Sequence, residues 1–179
     1  MYTKEEEILH FIFIAFTNLK RKKEDIDLVF HSIMVGNMLK NIGCQENTIY
    51  TGYLHDVIED TKYTYNDLKE KYGKELADNI QKLSENKEIK NYRERKEEFI
   101  NRLNTYNNEL ILVELADKLQ NLVSDYHLFQ VYGKESLPTE GNYKEIKWYY
   151  TKLKEIFNER LENNTLLERY NNIYEEYFG

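Results

Sequence analysis

The sequence predicts an all-α protein, a single helical bundle of about eight to ten helices. Three observations predict it. One proline and seven glycines in 179 residues leave few helix breakers. Apolar residues recur at three- and four-residue spacing in stretch after stretch. No stretch alternates apolar and polar residues over strand length with turn signals at both ends.

The elements follow in order. Residues 4–20 read as an amphipathic helix with Ile8, Phe11, Ile12 and Ala15 on one face. The basic run Lys20-Arg21-Lys22-Lys23 comes next. A second helix spans 27–42 and ends at Gly43, and a third spans 46–60. Thr64 and Asp67 have capping-box spacing and start a short fourth helix, stopped at Gly73. Helices over 74–84 and 91–104 follow, then a long apolar one over 108–131 that ends before Gly133. Residues 137–141 read as a loop, and amphipathic helices over 143–160 and 163–178 complete the chain.

A length of 179 residues fits one domain over 1–179 with one sizeable core. The composition, 41% hydrophobic and 32% charged, excludes a disordered chain. A net charge of −7 weighs against a nucleic-acid polymer as partner. It leaves open a small anionic substrate, because a bound cation inverts the local potential. The lone Cys44 has no internal partner, which fits a reduced, cytoplasmic setting. Glu5, Glu6 and Glu7 stand where a signal peptide needs positive charge. The apolar run at 11–16 is too short to span a membrane, so no membrane association is expected. The chain is expected as a monomer or homodimer.

The chemistry concentrates in Leu54-His55-Asp56-Val57-Ile58-Glu59-Asp60-Thr61. On one continuous helix, His55 would lie above Glu59 and Asp56 above Asp60. Three carboxylates so close repel one another, and a divalent cation relieves that repulsion. His31, 24 residues earlier, lies between apolar neighbours in the second helix. Asp117 lies among Leu112, Val113, Leu115, Ala116 and Leu119 in the long helix, and a buried aspartate needs a partner or a metal. Each has a plainer reading alone: a hydrogen-bonded core histidine, or an aspartate paired with Lys118 or an arginine. Their joint occurrence on three helices favours one metal site made of His31, His55, Asp56 and Asp117. Two imidazoles and two carboxylates suit one divalent ion, with manganese the first expectation and zinc, iron, cobalt, nickel or magnesium the alternatives. His10 and His127 lack such company and read as structural or surface residues.

Residues 54–61 and Leu115-Ala116-Asp117-Lys118-Leu119-Gln120-Asn121-Leu122 resemble the two signature segments of the HD phosphohydrolase domain. More narrowly, they resemble the alarmone (ppGpp) hydrolase branch. That branch holds the hydrolase domain of the RelA/SpoT enzymes and small stand-alone hydrolases of animals and bacteria. The resemblance runs over roughly residues 10–175. It implies that His31, His55, Asp56 and Asp117 bind the metal, and that Glu59 and Asp60 orient or deprotonate the attacking water. It also implies substrate contacts from Arg21 and Lys22, which precede the first histidine, from Asn121 at the sugar, and from Ser124. Tyr92-Arg93-Glu94-Arg95-Lys96 resembles a segment of the small bacterial members, adding Arg93 and Lys96, and Trp148-Tyr149-Tyr150 resembles their C-terminal aromatic cluster.

The chain departs from the family pattern at Lys23, at Asp27-Leu28, at Ser32 and at Glu114. There the family usually has glycine, Pro-Tyr, proline, and lysine or a small residue. The resemblance implies hydrolysis of a nucleotide, with the 3′-pyrophosphate of a guanosine alarmone as the first substrate expectation. No segment resembles the synthetase domain. The alternatives are a phosphomonoesterase for another nucleotide or cofactor, a non-catalytic nucleotide-sensing module, and a helical interaction protein.

Overall fold

The computed structural model describes residues 2–21, 25–133 and 140–179, with the side chains of 140 and 141 excluded. The described residues form ten helices and no strand beyond one isolated bridge. None of these helices is long and apolar enough to cross a membrane. The chain divides into two compact units, residues 1–85 and 86–179.

The first unit holds α1 (Lys4–Ala15), α2 (Val29–Asn41), α3 (Glu46–Leu54), α4 (Val57–Asp60), α5 (Tyr65–Tyr72) and α6 (Lys74–Leu83). Thr3 caps α1 in a reciprocal capping box with Glu6, and Thr64 caps α5 in the same way with Asp67. α1 stops at Ala15, short of the expected 20, and Asn18 then turns the chain at φ 64°. Asparagine tolerates that left-handed geometry better than most residues. Backbone pairing follows, in which the Leu28 amide donates to the Leu19 carbonyl at 2.8 Å and the Arg21 amide to the Ile26 carbonyl at 3.0 Å. Lys20 meets Asp27 at 2.9 Å and Asp25 at 3.3 Å across it. This backbone pairing therefore takes residues that a helical pattern assigned to the ends of α1 and α2. α2 ends at a left-handed Gly43, φ 78°, with the Cys44 amide returning to the Leu39 carbonyl at 3.1 Å.

The expected single helix over 46–60 is two helices. Its geometry breaks at His55 and Asp56, between α3 and α4, so the argument stacking His55 on Glu59 along one face does not apply. The second pairing keeps a helical trace, the Asp60 amide bonded to the Asp56 carbonyl at 2.9 Å.

α2 packs on α3, and two glycines make that approach close. A Cβ on Gly52 would lie 3.2 Å from the Gly36 Cα. A Cβ on Gly36 would lie 2.1 Å from Tyr53 Cδ1. The Tyr53 ring is fully buried, and its hydroxyl is held between Asn37 Oδ1 at 2.8 Å and Glu5 Oε1 at 3.0 Å. The ring cannot retreat, so Gly36→Ala should cost about 3 kcal/mol and lower the melting temperature by roughly 6–12 °C. A melt within 2 °C of the parent would show that the crossing has slack.

The second unit holds α7 (Tyr92–Leu103), α8 (Asn108–Tyr132), α9 (Glu140–Arg160) and α10 (Thr165–Phe178). Asn91, Asn107 and Asn164 cap α7, α8 and α10 through their side chains. Leu115, Leu119, Leu122, Leu153, Phe157 and Tyr170 are fully buried and build the core where α8, α9 and α10 meet. The loop expected over 137–141 ends earlier than expected, since α9 already begins at Glu140; its residues 137–139 lie outside the described residues.

Candidate metal centre

The first unit assembles three of the expected ligands. α2 and α3 are joined by the short 42–45 turn, so the start of α2 lies beside the end of α3. His31 sits in the first turn of α2, and His55 follows the last residue of α3. Both are buried. Their Nε2 atoms lie 3.2 Å apart. Asp56 Oδ2 lies 3.2 Å from His55 Nε2 and 3.5 Å from His31 Nε2.

His55 Nδ1 lies 2.8 Å from the Gly52 carbonyl oxygen. A carbonyl only accepts, so Nδ1 carries the proton and Nε2 of the neutral ring is a bare lone pair. That lone pair faces a carboxylate oxygen and a second imidazole nitrogen. All three atoms can offer a lone pair to a cation. Two ligands about 2.1 Å from one ion, at angles of roughly 90–110°, sit about 3.0–3.4 Å apart. Two of the three observed separations, both 3.2 Å, fall in that range and the third, 3.5 Å, lies just beyond it, so the residues fit a divalent metal.

The acidic pair follows in α4. Glu59 is half-buried, and its Oε2 accepts the Glu85 amide at 3.1 Å. That amide lies just past the end of α6. Asp60 is exposed.

Ser32, next to His31, is fully buried, and its Oγ has no hydrogen-bond partner among the described residues. An unsatisfied buried hydroxyl costs about 1–3 kcal/mol. Ser32→Ala should therefore raise the melting temperature, by roughly 2–4 °C for about 1 kcal/mol. A lower melting temperature would show that the hydroxyl is satisfied.

In the second unit, Asp117 is buried on α8. Asn121 Nδ2 donates to its Oδ1 at 2.7 Å, and the Lys118 ammonium bonds its Oδ2. Lys118 also reaches Glu114 Oε1 at 3.3 Å. Burial pushes the Glu114 carboxyl up to about 7, against the pull of Lys118. Burial alone would lower the Lys118 ammonium, but Asp117 and Glu114 outweigh it and hold the group well above its ordinary value. The Tyr149 hydroxyl donates to Glu114 at 3.3 Å, and the Lys96 ammonium lies 4.3 Å above the Tyr149 ring.

The expected substrate contacts fall on both units. Arg93 is bound within its own unit: Nε to Glu97 at 3.0 Å, Nη1 to Glu145 at 3.0 Å, and the guanidinium 3.3 Å over the Trp148 ring. That arrangement clasps α7 to α9 and engages the Nε and Nη1 donors. Lys96 belongs to the Tyr149–Glu114 cluster. Asn121 supports Asp117, and Ser124 and Arg21 are half-buried. Lys22 lies outside the described residues. His10 and His127 are exposed, as expected. The aromatic cluster divides, with Tyr149 and Tyr150 buried and Trp148 under Arg93. Sequence reasoning missed the Glu85 amide and the roles of Tyr149 and Glu114. Only the departure at 114 signalled the last of these.

These features define a class: an all-α protein that offers a His-His-Asp corner to a divalent cation. The chain belongs to the HD domain family, which matches residues 12–128 and which implies divalent-metal binding. Over 105 residues it is 28% identical to a guanosine-3′,5′-bis(diphosphate) 3′-pyrophosphohydrolase of Aquifex aeolicus, covering 58% of this chain and 15% of that one. The chain thus spans about 15% of the length of the curated relatives it matches. A solved structure from Listeria monocytogenes is 30% identical, with a TM-score of 0.76 over 83% of this chain and 96% of that one. The fold is shared, at 23% identity and a TM-score of 0.81, with a metazoan ortholog of SpoT described as hydrolysing ppGpp; that match covers 98% of this chain and 96% of the other.

Proposed function

We propose that this chain is a metal-dependent phosphohydrolase that removes the 3′-pyrophosphate of guanosine 3′,5′-bis(diphosphate). The observation that carries the proposal is the convergence of His31 Nε2, His55 Nε2 and Asp56 Oδ2 within 3.5 Å of one another. The name of the relatives' activity supports this substrate class. Each of His31, His55 and Asp117 is buried and offers one ligand atom, and Asp117 of the second unit would complete the set with Asp56. Manganese is the ion we assign, since half of the donors are carboxylates.

When bound, the ion supplies Lewis-acid polarisation of a phosphoryl oxygen and makes a water more acidic. Glu59, held by the Glu85 amide, and Asp60, open to solvent, would orient the attacking water and accept its proton. The water oxygen bonds to the phosphorus attached to the 3′ oxygen. The P–O3′ bond breaks, the 3′ oxygen takes a proton, and pyrophosphate leaves. Arg21 and Lys22 are the cations we assign to the phosphates, and Asn121 and Ser124 to the nucleoside. Lys96 would act at longer range.

The test is elemental analysis followed by a nucleotide panel with added Mn2+, scoring pyrophosphate against phosphate. Pyrophosphate release from the alarmone supports the reading. Phosphate release from another nucleotide or a cofactor supports a phosphomonoesterase instead. That second reading is favoured by Asp27, which pairs with Lys20 where the family usually has the first residue of Pro-Tyr. Full metal loading with no turnover on the panel would leave the nucleotide-sensing module.

A further inference from the structure

Glu114 sits one turn before Lys118 on α8, is 3% exposed, and bonds both the Lys118 ammonium and the Tyr149 hydroxyl at 3.3 Å. The same ammonium bonds Asp117, so two buried carboxylates share one cation. Stability does not explain the arrangement. Removing each ion from water is costly, and apolar residues of similar volume often do as well or better. Its effect on Asp117 does explain it. An ammonium bonded to one carboxylate alone neutralises that carboxylate and competes with any metal ion for the same lone pairs. An ammonium divided between two carboxylates leaves each with more of its charge.

We propose that Glu114 is a positioning residue for Asp117: it draws Lys118 toward itself and keeps the Asp117 oxygens available to a divalent cation. The proposal rests on the reading of Asp117 as a metal ligand. It also gives the departure at position 114 a function. A lysine there would add a second competing cation, whereas the glutamate adds a competitor for the first. The buried Tyr149 hydroxyl and the Lys96 ammonium above its ring anchor the Glu114 carboxylate from the α9 and α7 sides.

The experiment is calorimetric titration of Mn2+ into the metal-free chain of residues 1–179, with no substrate present. Glu114→Gln should weaken Mn2+ binding about tenfold, because Lys118 then bonds Asp117 undivided. The double variant Glu114→Gln/Lys118→Met removes the competitor and should return affinity to within about threefold of the parent. Parent-like affinity in Glu114→Gln overturns the proposal. So does a double variant as weak as the single one, because the effect would then not pass through Lys118.

Should Glu114→Gln fail to fold by circular dichroism, Glu114→Asp replaces it. That variant keeps the charge but withdraws it by one methylene, and a loss of about threefold is expected. Parent-like affinity there overturns the proposal as well. Asp117→Ala, titrated alongside, separates the two readings. Parent-like Mn2+ binding in Asp117→Ala means the ligand assignment itself has failed. Lost binding there with an unaffected Glu114→Gln means that only the role of Glu114 has failed.

Discussion

Replacing Asp117 by alanine is expected to strip the protein of its metal and its hydrolytic activity together. Changing a partner outside the ligand shell typically costs 10–100-fold in metal affinity, so losing a ligand should cost at least about a hundredfold. Turnover should fall by roughly a thousandfold or more, the equivalent of about 4 kcal/mol of transition-state stabilisation. The fold should survive. Asp117 is buried, so the variant loses a desolvated charge as well as its bonds to Lys118 and Asn121. Elemental analysis of the purified variant, with a pyrophosphate-release assay at saturating Mn2+, reads both effects. A variant that keeps one equivalent of metal and parental turnover would remove Asp117 from the site. The centre would then be the His31, His55 and Asp56 corner alone.

Glu59→Gln should do the opposite to one of those quantities: metal content stays at the parental level while turnover drops by about 10²–10⁴-fold. Glutamine is the informative replacement. Its side-chain carbonyl oxygen can still accept the Glu85 amide that now reaches Glu59 Oε2 at 3.1 Å, so the side chain keeps its anchor. What it loses is the negative charge and the ability to take a proton. A fully loaded, fully active Glu59→Gln protein would contradict the role assigned to Glu59. A variant that loses metal would instead make Glu59 part of the ligand set.

Much of the architecture was legible because helix signals are local. The Thr64–Asp67 capping box, the stops at Gly43 and Gly73 and the span of α8 all follow from residues a few positions apart. The misread boundaries share one cause, which is competition from bonds that a helical pattern does not encode. Asn18 and the Lys20–Asp27 pairing end α1 early and start α2 late. The α3–α4 break replaces the one-face stacking of His55 on Glu59 with something periodicity could not show. His55 is oriented by the Gly52 carbonyl, and Glu59 by an amide 26 residues away. Arg93 illustrates the converse. Its motif resembled a substrate contact, and the structure adds that Glu97, Glu145 and Trp148 all lie within reach of its guanidinium.

By itself the sequence determined the helical class, most helix limits and the identity of the groups with metal-ligand chemistry. Those depend on residue type and on spacing within a few turns. Only the tertiary structure decided that His31 and His55 meet. That requires α2 and α3 to approach to backbone contact at Gly36 and Gly52, which follows from what a missing side chain permits between two helices. It also decided which carboxylates keep their charge and which are held by a neighbouring ammonium. Burial and the distance to a counter-ion set those properties, and neither exists until the chain has packed.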